Sequence, residues 1–296
     1  MDSFRPRLDK EEYQIIISHR NQKNGNISPK YEHYTKNTAA KILLFDIETS
    51  PMACYSFRKW DTNIGDDFIL DDWNIISWSA KYLFSEEMHT MKVTAKEQKT
   101  RNDKRIVQGL WKLLDEADIV IAHNLKKFDK KIAQTRFLYY DLKMPSYYQE
   151  IDTLLTARKN FKITSNRLDY IAKDFFGIEG KLQTAKGLWL KSCGNPFKGI
   201  EPSQEAIDQM SVYCDQDVRV LEDVYLKLRG YMTNHPNLAL WSGTETPLCK
   251  ACGNDTFDMI GDYTTVVNTY HGYRCKNCGN VHRSRKPIEN SKIALR

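Results

Sequence analysis

Asp46-Ile47-Glu48-Thr49, His123-Asn124-Leu125-Lys126-Lys127-Phe128-Asp129 and Tyr213-Cys214-Asp215-Gln216-Asp217 stand far apart in the chain, yet each lies beside an apolar run. A carboxylate emerging from the edge of a buried element is costly unless a cation balances it. The acids Asp46, Glu48, Asp129 and Asp217, together with Tyr213, therefore read as one oxygen-rich metal site of an enzyme. Side chains two apart on a strand share a face, so Asp46 and Glu48 project together from the end of Ile42-Leu43-Leu44-Phe45. Like charges held that close raise one another's pKa, and a divalent cation removes the conflict. Tyr213 and Asp217 lie on one face of a helix. Each piece alone has a plainer explanation: a turn at Ser50-Pro51, compensation of a helix dipole by Asp129, a tyrosine packed in a core.

A second constellation is Cys249-Lys250-Ala251-Cys252-Gly253-Asn254, closely repeated as Cys275-Lys276-Asn277-Cys278-Gly279-Asn280. A tight turn with glycine after the second cysteine lets backbone amides point at thiolates, which suits one structural, tetrahedral Zn²⁺ held by Cys249, Cys252, Cys275 and Cys278. Between the pairs, Thr264-Thr265-Val266-Val267 and Tyr270-His271-Gly272-Tyr273-Arg274 alternate like a short hairpin. His271 and His282 could replace a thiol, but four cysteines complete the set. Disulfides in a secreted module fit less well, because Cys54, Cys193 and Cys214 are left over.

The elements that must position these groups follow from periodicity. Ile42 to Phe45 is a continuous apolar run, as in a central strand buried on both faces. Ile75 to Leu83 alternates like an antiparallel neighbour, and Met88 to Thr94 reads as another strand. A helix is expected from about Asn102 to Glu116, then a strand, Ile119 to Ala122, that delivers His123 and Asn124 to its end. Phe128 to Tyr140 reads as helical. The run from Ile151 begins a further element, with Asp152 capping a helix that reaches Lys159. Arg167 to Phe176 reads as an amphipathic helix ended by Gly177, and Pro202-Ser203 starts a long helix to about Met232. Lys181 to Gly199 is mixed, with Lys186, Lys191 and Lys198 at a substrate edge or solvated.

With 296 residues, 41% hydrophobic and 28% charged, the chain can form one substantial core and one or two appendages. The net charge of +6 and pI near 8.8 favour a polyanionic partner such as DNA or RNA. No apolar stretch approaches the roughly 20 residues of a membrane helix, and the start Met1-Asp2-Ser3-Phe4-Arg5 lacks a signal's apolar core. The expected location is thus a reducing cytoplasm, with no membrane partner.

The order of the three acidic motifs resembles the tyrosine-type (DEDDy) branch of the DEDD 3′–5′ exonuclease superfamily, over about residues 40 to 232. The resemblance implies an α/β, ribonuclease-H-like fold with a mixed five-stranded sheet flanked by helices. It also implies two Mg²⁺ or Mn²⁺ ions and stepwise removal of nucleotides from a 3′ end. Asp46 would bridge both metals, Glu48 and Asp217 would complete one coordination sphere, and Asp129 would hold the other ion, largely through water. Tyr213 would orient the attacking water, since a phenol with pKa near roughly 10 is a poor base at neutral pH. Asn124 would brace the site or the terminal nucleotide. The chain departs from the family in placing Leu125-Lys126-Lys127 before Phe128. Lys126 and Lys127 are candidate phosphate contacts, while Phe128 is expected in the core rather than under a base.

The expected organisation is a polar, basic extension over 1–38, with an amphipathic stretch Leu8 to His19, an exonuclease domain over 39–232, a linker over 233–246 and a small zinc-ribbon β domain with a basic tail over 247–296. The ribbon and tail would hold nucleic acid or dock a replication or repair protein. The nuclease-plus-ribbon arrangement looks like bacteriophage-encoded proteins, which would place it in a host cytoplasm. The leading expectation is a metal-dependent exonuclease acting on DNA. Its rivals are a structure-specific endonuclease or RNA-trimming enzyme on the same fold, and a noncatalytic nucleic-acid-binding module.

Overall fold

Ile42 to Phe45 are all buried, so the strand they open, β1 (Ile42–Thr49), is covered on both faces until it reaches Asp46. The computed structural model describes residues 39–60, 63–180 and 187–288. After β1 the chain makes a separate two-stranded ribbon, β2 (Ala53–Cys54) with β3 (Ile69–Asp71). The main sheet then gains β4 (Ile75–Tyr82), β5 (His89–Lys92), β6 (Ile119–Ala122) and β7 (Gln149–Asp152), in the order β5-β4-β1-β6-β7. β4 runs antiparallel to β1 and to β5, while β6 is parallel to β1 and to β7. This is the mixed, five-stranded sheet flanked by helices that the resemblance implies.

The helices are α1 (Ala95–Lys99), α2 (Lys104–Glu116), α3 (Asp129–Tyr139), α4 (Thr153–Asn160), α5 (Leu188–Cys193) and α6 (Gln204–Leu228). Along α2, Ile106, Val107, Leu110 and Leu114 are buried, as their helical spacing demands. One expectation is refined: the run from Ile151 divides at Asp152, which closes β7 and, as expected, caps α4. The helix expected over 167–176 forms, with Tyr170–Phe175 wound as a wide π-helix, and Gly177 ends it at φ 65°.

A stripe of acids at seven-residue intervals pins α6 to the sheet. Lys92 on β5 meets Asp208 at 2.9 Å, Ser79 on β4 donates to Asp215 at 2.6 Å with the Thr90 hydroxyl on the same oxygen, and Lys81 on β4 pairs with Glu222. The Lys92 pair is half-exposed and adds little. Lys81 and Glu222 are buried, and breaking that pair would strand a charge.

The described residues fall into two compact units, 41–83 with 87–224, and 39–40 with 84–86 and 225–288. The second carries an antiparallel sheet of β8 (Phe257–Thr264), β9 (Thr269–Cys275) and β10 (Val281–Arg283). The expected hairpin is thus shifted: residues 265–267 lie in the turn, where Thr265 donates to the Asn268 carbonyl at 2.8 Å. The stretch 233–246, expected as a linker, holds buried His235 and Leu238. Gly230 is required by a close approach, since a Cβ there would meet the Cys278 carbonyl oxygen at 2.0 Å. The 1–38 extension with its Leu8 to His19 stretch, Lys181, Lys186 and the tail residues Lys292 and Arg296 lie outside the described residues. Among the described residues, no helix is long and apolar enough to cross a membrane.

His235 accepts from the Tyr225 hydroxyl at 2.8 Å while its other nitrogen donates to the Pro236 carbonyl at 2.7 Å, an arrangement that suits a neutral ring. Burial, aided by the nearby charges of Arg229 and Lys250, lowers its pKa from 6.5 to about 4. The unfolded chain therefore binds the extra proton between these values, and stability falls as pH drops from 6.5 towards 4, by about 3 kcal/mol at full effect. Urea unfolding at pH 7, 5.5 and 4 should show the native chain losing stability relative to His235→Gln as pH falls.

Candidate metal centre

The end of β1 carries the first two acids. Opposite them on β4 stand only serines: Asp46 pairs with Ser79 and Glu48 with Ser77. α6 brings Asp217 over this edge, and Asp46, Glu48 and Asp217 each offer a carboxylate oxygen within 4.8 Å of the others. One turn before Asp217, Tyr213 is half-buried and fixed by an edge-on contact with Trp189 of α5 at 6.1 Å. Between them in sequence, the buried Cys214 thiol lies 3.4 Å from the Asp46 carbonyl and 3.6 Å from its carboxylate. Burial first, then Asp46 and Glu48, push that thiol well above its usual pKa, so it stays protonated and donates.

Asp129 arrives from the other side, at the first position of α3. It is 1% exposed, and neither carboxylate oxygen has a well-formed hydrogen-bond partner. Burial raises its pKa well above 3.8, and the charge of Asp46 adds to this, against the partial help of the amides of Asp129 and Ile47. A buried carboxylate held only by weak amide contacts beside a second acid is the arrangement that binding of a divalent ion would relieve. An all-oxygen donor set fits Mg²⁺ or Mn²⁺.

The loop that delivers Asp129 is built by a residue that sequence alone assigns only a capping role. Asp152 accepts from Leu155 N at 3.1 Å as the α4 cap, and also from Asn124 N at 3.2 Å and Lys126 N at 3.1 Å. Its carboxylate thereby holds Asn124 in the left-handed region, φ 77°, where asparagine is tolerated. His123 bonds the Thr153 hydroxyl and the Asn166 carbonyl, both at 2.9 Å. Lys126 and Lys127 are exposed at the start of α3, whereas Lys130 is engaged by Glu150 at 2.6 Å. Phe128, expected in the core, is instead 37% exposed, because the chain turns there at φ −121°, ψ −86° to enter the helix.

In the second unit, Cys249, Cys252, Cys275 and Cys278 converge with their sulfurs within 4.8 Å of one another and form no disulfide. Cys249 and Cys278 sulfurs are 3.5 Å apart, and those of Cys252 and Cys275 are 3.6 Å apart. The edge of a tetrahedron with metal–sulfur bonds of about 2.3 Å is about 3.8 Å, so the four sulfurs fit a tetrahedral S₄ ion such as Zn²⁺. The repeated sequence makes repeated turns: Gly253 at φ 72° donates to the Cys249 carbonyl at 2.8 Å, and Gly279 at φ 74° to the Cys275 carbonyl at 3.0 Å. These glycine amides serve the carbonyls of the first cysteines, not the thiolates as the spacing suggests. His282 stands beside the set, with Nε2 3.2 Å from the Cys249 sulfur.

A family model described as the RNase_H superfamily matches residues 75–229. The match takes in Asp129, Tyr213 and Asp217 and leaves β1, with Asp46 and Glu48, outside its bounds. No curated protein matches the chain. Among solved structures, the family B DNA polymerase from the hyperthermophilic archaeon Pyrobaculum calidifontis is similar at 12% sequence identity and a TM-score of 0.44. That likeness covers 79% of this chain and 32% of the polymerase, so this chain spans less than a third of the polymerase's length.

Proposed function

The chain belongs to the RNase_H superfamily, and on that premise we propose that it is a divalent-metal-dependent 3′–5′ exonuclease that hydrolyses the phosphodiester bonds of DNA. The observation that carries this reading is the convergence of Asp46, Glu48 and Asp217 within 4.8 Å beside a buried Asp129 whose carboxylate lacks a well-formed partner. Bound Mg²⁺ or Mn²⁺ would supply Lewis acidity to both the attacking and the leaving oxygen of an in-line displacement at phosphorus. Asp46 would hold both ions, Glu48 and Asp217 the first, and Asp129 the second. Cys214 supports Asp46 from beneath by donating to its carbonyl and carboxylate.

Tyr213, held by Trp189, would orient the attacking water through its hydroxyl, a positioning task that needs no change of protonation. Asn124 would brace the terminal nucleotide, on a loop that Asp152 holds rigid. Lys126 and Lys127 would meet phosphates from the start of α3, where the helix dipole also favours an anion. In the second unit, Zn²⁺ on Cys249, Cys252, Cys275 and Cys278 would serve structure.

The test is digestion of 5′-labelled and 3′-labelled single-stranded DNA with Mg²⁺, beside EDTA and a matched RNA. A descending ladder from the 5′ label that EDTA abolishes is the expected result. Discrete internal cuts would replace this reading with an endonuclease, and faster trimming of RNA would change its substrate.

A further inference from the structure

Among the solvent-facing aromatic side chains of the unit that carries the carboxylates, Tyr55, Phe57, Trp60, Phe68 and Phe197 are linked by ring contacts or short chain spacing. Phe57 is 86% exposed and Trp60 84%. A fold gains by burying such rings, so two left this open three residues apart in one loop point to a surface with a use. They are also organised. Tyr55 meets Phe197 edge-on at 5.0 Å, Phe57 meets Phe68 at 5.3 Å, and the Lys59 ammonium lies 5.2 Å from the Trp60 ring. The β2–β3 ribbon holds the base of this loop, and Tyr55 N donates to the Phe68 carbonyl at 2.9 Å.

The patch is joined to the metal centre along two routes. β1 ends at Thr49, next to Glu48, and β2 begins at Ala53. On the second route, Trp189 packs on Tyr213, and further along the same segment Phe197 packs on Tyr55.

We infer that this patch is a stacking platform for the bases of the single-stranded nucleic acid whose end occupies the metal centre. The inference rests on the proposed nuclease reading. The rings favour bases over an aliphatic protein surface, since every base offers a π-face and stacks on an aromatic ring regardless of sequence. Arg58, Lys59 and Lys198 are exposed among the rings and complement the sugar-phosphate backbone. The neighbouring exposed acids Asp66 and Asp67 keep the patch from being a general anion surface, so base stacking rather than charge carries the binding.

The experiment measures binding of fluorescein-labelled oligo(dT), and of an abasic oligonucleotide of equal length, by anisotropy in EDTA. The proteins are the native chain, Phe57→Ala/Trp60→Ala, Phe57→Tyr/Trp60→Tyr and Asp46→Ala. The native chain and Asp46→Ala should bind oligo(dT) at least about tenfold more tightly than the abasic strand. The alanine pair should lose this preference and the tyrosine pair should keep it, which separates stacking from misfolding. A preference that survives in the alanine pair, or one missing from the native chain, overturns the inference. So does a self-association seen by sedimentation that the alanine pair abolishes while oligo(dT) binding is unchanged. Hydrolysis with Mg²⁺ is read separately: base preference without hydrolysis sinks the nuclease reading, and hydrolysis without base preference sinks the platform alone.

Discussion

Asp46→Ala is expected to lower Mg²⁺-dependent hydrolysis of single-stranded DNA by about 10³-fold or more, roughly 4 kcal/mol of lost transition-state stabilisation. The loss should fall on kcat, because in this reading Asp46 would hold the ions and not the body of the strand. A fall below tenfold in a steady-state assay would remove Asp46 from the centre. A companion substitution, Asp129→Asn, separates catalysis from stability. The folded-state pKa of Asp129 is raised by burial and by Asp46, so its contribution to stability is present below its unfolded value of 3.8 and is lost as pH rises through the folded value. In EDTA the native chain should therefore lose stability relative to Asp129→Asn as pH rises from acid to neutral, opposing the contribution of His235, and Asp129→Asn should be at least as stable at pH 7 while inactive. Mg²⁺ should raise the melting temperature of the native chain and leave that of Asp129→Asn nearly unchanged. Melts at pH 5 and pH 8, with and without Mg²⁺, test the sign.

Loss of the Zn²⁺ proposed on Cys249, Cys252, Cys275 and Cys278 is expected to be the other large effect. The core beneath β8, β9 and β10 consists of Cys249, Ala251, Cys252 and Cys275, with Phe257 and Cys278 packed against it. Four of those six residues are the proposed ligands, so little apolar burial remains to hold the sheet without metal. Structural zinc sites contribute on the order of 10 kcal/mol to the folded state. Metal analysis should find one Zn²⁺ per chain, and Cys249→Ser should remove it. The variant should then be cleaved by trypsin within 249–283 faster than the native chain. Full zinc content and unchanged protection in Cys249→Ser would show that Cys249 is not a ligand.

The clustering of Asp46, Glu48 and Asp217, and that of the four cysteines, was legible in the sequence where local pattern and chemistry coincide. An unbroken apolar run before Asp46 requires a doubly covered strand, and the five-stranded mixed sheet places it centrally. The repeated cysteine motif requires two like turns, and Gly253 and Gly279 adopt nearly the same φ. What was illegible depends on contacts distant in sequence. An aspartate that caps a helix looks the same whether it accepts one amide or three, so the bonds from Asp152 to Asn124 and Lys126 left no trace in the motif. Phe128 is apolar and sits in a helical pattern, but the turn entering α3 carries it outward. β7 is too short, and its first half too open, to show alternation. Tyr55, Phe57 and Trp60 have no periodic partner, and only three-dimensional placement reveals them as one surface.

The seven-residue stripe of acids on α6 has a mechanical meaning for the metal centre. Asp217 occupies its height above β1 because Asp215 is clasped by Ser79 and Thr90 and Glu222 is locked to Lys81. Sliding the helix by one turn would part both attachments at once and leave Lys81 and Glu222 as lone charges in a dry interior. α6 therefore works as a bolted rail that cannot shift to admit a strand. Any opening that a substrate needs must come from parts not fastened this way, such as the short α5 segment that carries Trp189.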